Sequence, residues 1–170
     1  MEHARLATTE DREALAVLAH EAREESRAKR GGQLLVSREL LALAELDLLD
    51  AATPTPEAAA LGARDRAKAV VVGTIDEVVV GYARLRIEAL RTDETIAMID
   101  EIYVDPEARG VGVGEAMMDL LVELATEHHC IGIDAVALPG DRQTKNFFET
   151  FGLTARAIVV HRSLVPPPTT

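Results

Sequence analysis

The sequence predicts a mixed α/β domain, with a mainly antiparallel sheet flanked by helices. Three observations carry that reading. Up to Leu49 the apolar residues recur at helical spacing. From Ala67 to Val104 the pattern turns to Val- and Ile-rich runs of strand type, with turn residues between them. Beyond Val104, helix-type and strand-type segments alternate as far as Leu164.

The elements follow in order. Arg5–Thr8 is a short strand, and Thr8 or Thr9 caps a helix whose first turn holds Glu10 and Asp11, acidic residues that suit its positive end. Leu15, Leu18, Ala19 and Ala22 give that helix one buried face, and Gly31-Gly32 ends it. Ser37 opens a second helix with Leu40, Leu41, Leu43, Ala44, Leu48 and Leu49 as its apolar set. Prolines 54 and 56 mark a loop, and Glu57–Leu61 adds a helical turn. Ala67–Thr74 and Glu77–Leu90 form a hairpin about Ile75-Asp76, and Glu94–Val104 is the third strand. Alternation slips in that third strand: Ile96 and Met98 share one parity and Ile99 has the other, the pattern of a β-bulge near Ile99-Asp100.

A strong helix runs from about Gly114 to His128, with Met117, Met118, Leu121, Val122, Leu124 and Ala125 as its buried stripe. The Met pair reads as core packing. Ile131–Leu138 is a buried-type strand, and Asp141 caps a helix to about Phe151, stopped by Gly152. Ala155–Leu164 is the last strand, and residues 166–170 form a frayed tail.

Bulk properties narrow the function. A length of 170 residues fits one domain, expected over 1–165. With 48% apolar residues, a core forms without metal or disulfide. Cys130 is the single cysteine, and adjacent His128 and His129 point apart on a helix, so they read as a solvated helix end and no metal is expected. A net charge of -11 argues against nucleic acid; it suits a cationic amine substrate, or simply solubility. No signal peptide or membrane-length apolar run is visible, which predicts a cytoplasmic protein with no membrane partner.

The chemistry concentrates in Arg109-Gly110-Val111-Gly112-Val113-Gly114, between a strand and a helix. Glycines let the backbone approach a ligand and turn its N–H groups inward, and the following helix start adds unpaired amides and a positive dipole end. That is a phosphate cradle built from backbone, to which Arg109 adds a charge. Glycine spacing excludes the dinucleotide fingerprint, whose third glycine comes later, and Glu115-Ala116 stands where a P-loop needs Lys-Ser/Thr.

Val104-Asp105-Pro106-Glu107-Ala108-Arg109-Gly110-Val111-Gly112-Val113-Gly114 resembles the acetyl-CoA signature of the GNAT acyltransferases, Gln/Arg-x-x-Gly-x-Gly/Ala, through Arg109, Gly112 and Gly114. Phe147-Phe148-Glu149-Thr150-Phe151-Gly152-Leu153 resembles the family's second segment. The likeness covers a core over 67–163 and extends over 1–66, the family's variable substrate-side helices.

The resemblance implies a GNAT-type mixed sheet with a splayed parallel strand pair, and transfer of an acetyl group from acetyl-CoA to a primary amine by direct attack. Backbone groups of Ile102 and Val104 would pair with the pantetheine arm, and amides from Val111 to Glu115 would hold the pyrophosphate. Glu101 is the favoured general base and Asp100 the second, each with an ion-paired strand carboxylate as the plain alternative. Tyr103 is the other polar group nearby, on the face of Glu101 if the strand is regular there. Phe148 occupies the position where many members place a proton-donating Tyr, which leaves the role to water, since thiolate is a fairly good leaving group, or to Tyr103 or Cys130 as substitutes. Asp141 stands where members carry a pantetheine-touching Asn, although helix capping explains it; Arg142, Lys145 and Asn146 follow on the same helix and could reach the cofactor, with a solvated face the preferred reading for Arg142 and Lys145. A homodimer is also implied. The vacant Tyr position supports a second function, an acyl-CoA-binding sensor without turnover.

Overall fold

The computed structural model describes residues 1–38 and 65–164. Strand β1 (Glu2–Leu6) passes through a 3-10 turn at Thr9–Asp11 into helix α1 (Arg12–Arg27). Asp11 secures this entry. Its buried carboxylate accepts the Thr8 N–H at 2.7 Å and two Arg5 guanidinium nitrogens at 2.7 and 2.8 Å. A cap and a bidentate ion pair thus converge on one side chain. Leu15, Leu18, Ala19 and Ala22 are buried along α1, the set that the helical spacing predicts.

Gly31-Gly32 does not end α1. The helix stops at Arg27, and α2 (Gly32–Arg38) starts at Gly32 instead of Ser37. A Cβ on Gly32 would lie 1.7 Å from the Ser26 carbonyl oxygen, so the glycine pair closes a tight corner between two helices. The rest of the expected second helix, the loop at 51–56 and the turn at 57–61 lie outside the described residues.

Strands β2 (Asp65–Ile75), β3 (Val78–Ala89) and β4 (Thr95–Val104) continue the sheet, and β5 (Ile133–Ala135) completes the order β1-β2-β3-β4-β5. The first three pairings are antiparallel and β4–β5 is parallel. The β2–β3 turn is Asp76-Glu77, one residue later than expected. Both residues have positive φ, 47° and 70°, the twist a two-residue hairpin needs.

Helices α3 (Val113–Glu127) and α4 (Arg142–Thr150) complete the described elements. Helix α1 covers one face of the sheet, against Val72, Tyr82 and Tyr103. Helix α3 covers the other, where Val113, Met117, Met118, Leu121 and Ala125 meet Val71, Ala83, Leu85, Ile87, Ala97 and Ile99. Val122, expected in the buried stripe, is instead exposed, because its position lies past the edge of the face that Leu121 and Ala125 define. His128 and His129 close α3, with His129 in the left-handed region and the Cys130 N–H bonded to the Ala125 carbonyl.

Two strand expectations are corrected. Strand β5 spans three residues, not Ile131–Leu138, because it pairs with β4 only through Ala97–Ile99. Ala155–Leu164 forms no strand among the described residues: it joins no ladder of the five-stranded sheet there. No helix among the described residues is long and apolar enough to cross a membrane.

Asp11→Ala should lower the unfolding free energy by about 2 kcal/mol at neutral pH, as loss of a buried, charge-assisted cap does. Hydrogen bonding from Arg5 holds the Asp11 carboxyl below its ordinary value in the folded protein. Its contribution is therefore complete above the unfolded pKa of about 4 and is lost as pH falls through the folded value. Urea titrations of both proteins across that range should show their difference shrinking with acid.

Candidate active site

On β4, Ile99 pairs with Leu85 and Glu101 with Arg84, which leaves Asp100 as an extra residue: the bulge that the slipped alternation predicts. Its effect is a change of parity. Before it, Ala97 and Ile99 belong to the core under α3. After it, Ile102 and Val104 pack against that same core, and Tyr103 joins the α1 side. Glu101 goes with Tyr103, because Tyr82 of the α1 side donates its hydroxyl hydrogen to Glu101 Oε1. Were Asp100 an ordinary member of the ladder, Glu101 would take the parity of Ile99 and enter an apolar core.

The same shift re-aims the backbone. The Ala97 N–H donates to the Gly132 carbonyl on the β5 side. Counting across the bulge, the main-chain groups of Ile102 and Val104 point to that side too. Strand β5 has already ended its pairing at Ile99, so a cleft of about 320 Å³ opens there. Its walls include β4 from Ile99 to Val104, Val136 and Leu138 beyond β5, the α1 residues Ala22, Glu25 and Ser26, and Lys29 just past the end of α1. The sequence-predicted pair Ile102 and Val104 is therefore in place. The Val104 carbonyl, however, already accepts Arg109 Nε at 2.8 Å.

The glycine loop reaches the cleft through Arg109, Gly110, Gly114 and Glu115. Gly112 caps α3 at φ 101°, a conformation that disfavours any side chain, and no side chain occupies the cap. The amides that open α3 are left for a ligand or water. Gly114 serves packing: a Cβ there would approach the Phe147 ring to 3.2 Å. Val113 is buried in the core and Val111 is half-exposed, so both offer backbone only.

Arg109 is committed elsewhere than its predicted role. Besides bonding Val104, its guanidinium lies 5.4 Å from the Tyr103 ring centroid and pairs with Glu25 at 2.6 Å. Glu25 also accepts Lys29 at 2.9 Å, and Lys29 reaches Asp141 at 2.8 Å. A chain of four charges thus joins the loop, α1 and the start of α4. Burial pushes the Glu25 carboxyl up, but hydrogen bonds from Arg109 and Lys29 outweigh it and hold it below the ordinary value. Asp141 shows the same balance, with Lys29 and Thr144 prevailing over burial.

The two carboxylates differ. Asp100 is tied to Arg86 Nε at 2.7 Å and to Arg84 at 3.4 Å, so both of its oxygens are engaged by β3. Glu101 is 6% exposed, lines the cleft and takes the Tyr82 hydroxyl. Tyr82 itself is fully buried. Burial first, then the charge and hydrogen bond of Glu101, raise its hydroxyl well above the ordinary value, which keeps it a donor. Burial, then the charges of Glu21 and Glu25, also push the Tyr103 hydroxyl up.

Asp141 caps α4, accepting the Thr144 N–H at 3.1 Å, and also borders the cleft. Lys145 and Asn146 do not line it. The face of α4 turned inward carries Gln143, Thr144, Phe147 and Phe148, while Lys145 pairs with Glu149 on the outer face. Phe148 is core and supplies no proton. Cys130 packs at the far end of α3, outside the cleft lining. Sequence reasoning missed Tyr82, Glu25 and Lys29. Tyr82 required the β3–β4 register, and Glu25 and Lys29, at and just past the end of α1, carry no local signal beyond two charged residues four apart.

Comparison with known proteins bears on the family and the fold. The profile of the acetyltransferase (GNAT) family matches residues 37–153. No curated protein matches the sequence. Among solved structures, a transcriptional regulator from Bacillus halodurans C-125 superposes with a TM-score of 0.69 at 16% identity, over 96% of this chain and 100% of that one. A ribosomal-protein-alanine N-acetyltransferase from Brucella melitensis biovar Abortus 2308 gives 0.63 at 18% identity, over 96% and 100%. Glucosamine-6-phosphate N-acetyltransferase from Arabidopsis thaliana gives 0.63 at 15%, over 97% and 99%. At these identities the likeness shows a shared fold. With the profile spanning most of the chain, the protein belongs to the GNAT acetyltransferase family.

Proposed function

We propose that the protein transfers an acetyl group from acetyl-CoA to a primary amine by direct attack. One observation carries the reading: the free backbone edge of β4, the amides that open α3 and the Glu101 carboxylate all border one cleft. The pyrophosphate would rest on amides between Val111 and Glu115, where the helix dipole favours an anion even in a chain of net charge -11. The pantetheine arm would pair along β4 at Ile102. Gly112 and Gly114 keep that approach clear of side chains.

An ammonium cannot attack a carbonyl, so the acceptor must first lose a proton. Glu101 is the group for this, directly or through one water, while the Tyr82 hydroxyl holds one of its carboxylate oxygens in place. The neutral nitrogen attacks the thioester carbonyl, the C–S bond breaks and the thiolate leaves, while the second proton that the nitrogen sheds as the amide forms passes to water and balances the proton that the thiolate takes up. Tyr103 lines the same cleft and keeps its proton through burial, so it can supply the proton that Phe148 cannot. Asp100 acts through position: its ion pairs with Arg84 and Arg86 hold the bulge that presents Glu101. Two similar structures are N-acetyltransferases for a ribosomal-protein alanine and for glucosamine 6-phosphate, which supports an amine as acceptor here.

The second reading, an acyl-CoA-binding sensor, is favoured by Phe148 alone. Calorimetry with acetyl-CoA and a thiol-release assay over an amine panel separate the two. Binding without release for any amine would leave the sensor; no binding would remove both.

Glu101→Gln should keep acetyl-CoA affinity and lower kcat by roughly 10²- to 10⁴-fold, the usual contribution of a general base. Full activity at every pH would place the base elsewhere. Tyr82→Phe removes the donor that favours the charged Glu101, so the acid limb of the kcat/KM profile should move to higher pH. An unmoved limb would separate Tyr82 from the proton transfer.

A further inference from the structure

Beside the cleft lies a second hollow, of about 390 Å³. It is framed by Lys29 and Arg30, at the corner between α1 and α2, and by the turn at residues 139–143 that leads into α4. The two hollows are neighbours, because Lys29, Asp141 and Gln143 border both. Two contacts hold the frame. Lys29 Nζ lies 2.8 Å from Asp141, and a Cβ on Gly31 would stand 3.7 Å from Leu138, an ordinary van der Waals distance. The corner and the turn are thus seated on each other, and the hollow between them is formed before any ligand arrives.

The charge of this hollow is opposite to that of the chain. Lys29 is matched by Glu25 and Asp141. Arg30 and Arg142 are not matched: both are exposed, and among the described residues neither guanidinium has a hydrogen-bond or ion-pair partner. A chain of net charge -11 therefore lines one small hollow with two uncompensated arginines. A lone surface arginine carries no message. Two planar forks of the kind that bind carboxylate and phosphate, on a hollow continuous with the cleft, do.

We propose that this hollow takes an anionic group of the acceptor, a carboxylate or a phosphate, so that the substrate is a small amine that also bears an acid. The proposal rests on the acyl-transfer reading above and names its substrate class. The disposition of charge orients such a zwitterion, with its ammonium toward Glu101 in the cleft and its anion toward Arg30 and Arg142. The same arginines disfavour a polyamine, whose second ammonium would fall among them. The cofactor's own phosphates belong elsewhere under that reading: among the described residues, neither the glycine loop nor α3 borders this hollow.

Matched pairs of amines test the proposal, with acetyl-CoA as donor and thiol release as the readout. Glycine, β-alanine, ε-aminocaproate and phosphoethanolamine are each compared with the uncharged counterpart: glycinamide, β-alaninamide, ε-aminocaproamide and ethanolamine. At least one acid should exceed its counterpart in kcat/KM by roughly tenfold, the size of a charge-assisted contact at an exposed site. Arg30→Gln and Arg142→Gln should each bring that ratio toward one and leave the calorimetric affinity for acetyl-CoA as it was. Ratios near one in every pair, a ratio that survives in the double variant, or an equal fall in acetyl-CoA affinity would each overturn it; the last would give the hollow to the cofactor. Calorimetry of the same acids on protein saturated with CoA separates this from failure of the transfer itself. Acid binding that needs both arginines, without thiol release, would keep the anion site and remove the transfer; neither binding nor release would remove both.

Discussion

One extra residue in β4 sets the terms for everything around it. A strand is a strict two-fold alternation, so housing Asp100 as a bulge gives every residue that follows the face opposite to the one it would have in a regular strand. The exchange settles two matters together. It lifts Glu101 out of the aliphatic layer under α3 and places it with Tyr82 and Tyr103, and it turns the main chain of Ile102 and Val104 toward the side that β5 abandons. Burying an unpaired carboxylate among Ala97, Ile99 and Met118 would cost several kcal/mol. The bulge removes that cost by geometry, and Asp100 secures it through Arg84 and Arg86.

The cleft balances opposite electrostatic demands. At one side of it the first turn of α3 presents backbone dipoles with no lysine among them, which under the proposed function would let a strongly acidic chain hold an anion. At its mouth Arg109, Glu25, Lys29 and Asp141 neutralise one another across three elements. Arg109 therefore works as a strut. It ties the glycine loop to the end of β4, to α1 and to the Tyr103 ring, and so fixes where the amides point.

Helix α1 has more to do than cover the sheet. Its inner stripe buries Tyr82 completely, and that burial keeps the phenol protonated beside Glu101. One turn beyond the stripe, Glu25 and Lys29 turn toward the cleft. A single amphipathic helix thus seals the core with one part of its surface and shapes the cleft with the adjoining part.

Much of this was legible in the sequence, for physical reasons. Period 3.6 gave the buried set of α1 residue for residue, because a helix is specified by neighbours within one turn. The slip at Ile99-Asp100 marked the bulge, because alternation is equally local. Glycine spacing marked the α3 cradle, because positive φ is a property of single residues. What the sequence left undecided was always a matter of pairing. Tyr82 meets Glu101 only through the β3–β4 register, and Arg109 meets Glu25 only when α1 lies across the loop. Lys145 and Asn146 miss the cleft because the rotation of α4 is set by the seating of Phe147 and Phe148. Ala155–Leu164 carries a strand's composition, yet composition cannot supply a ladder partner: strands are completed by hydrogen bonds to distant chain, and tertiary structure alone decides whether that chain is there.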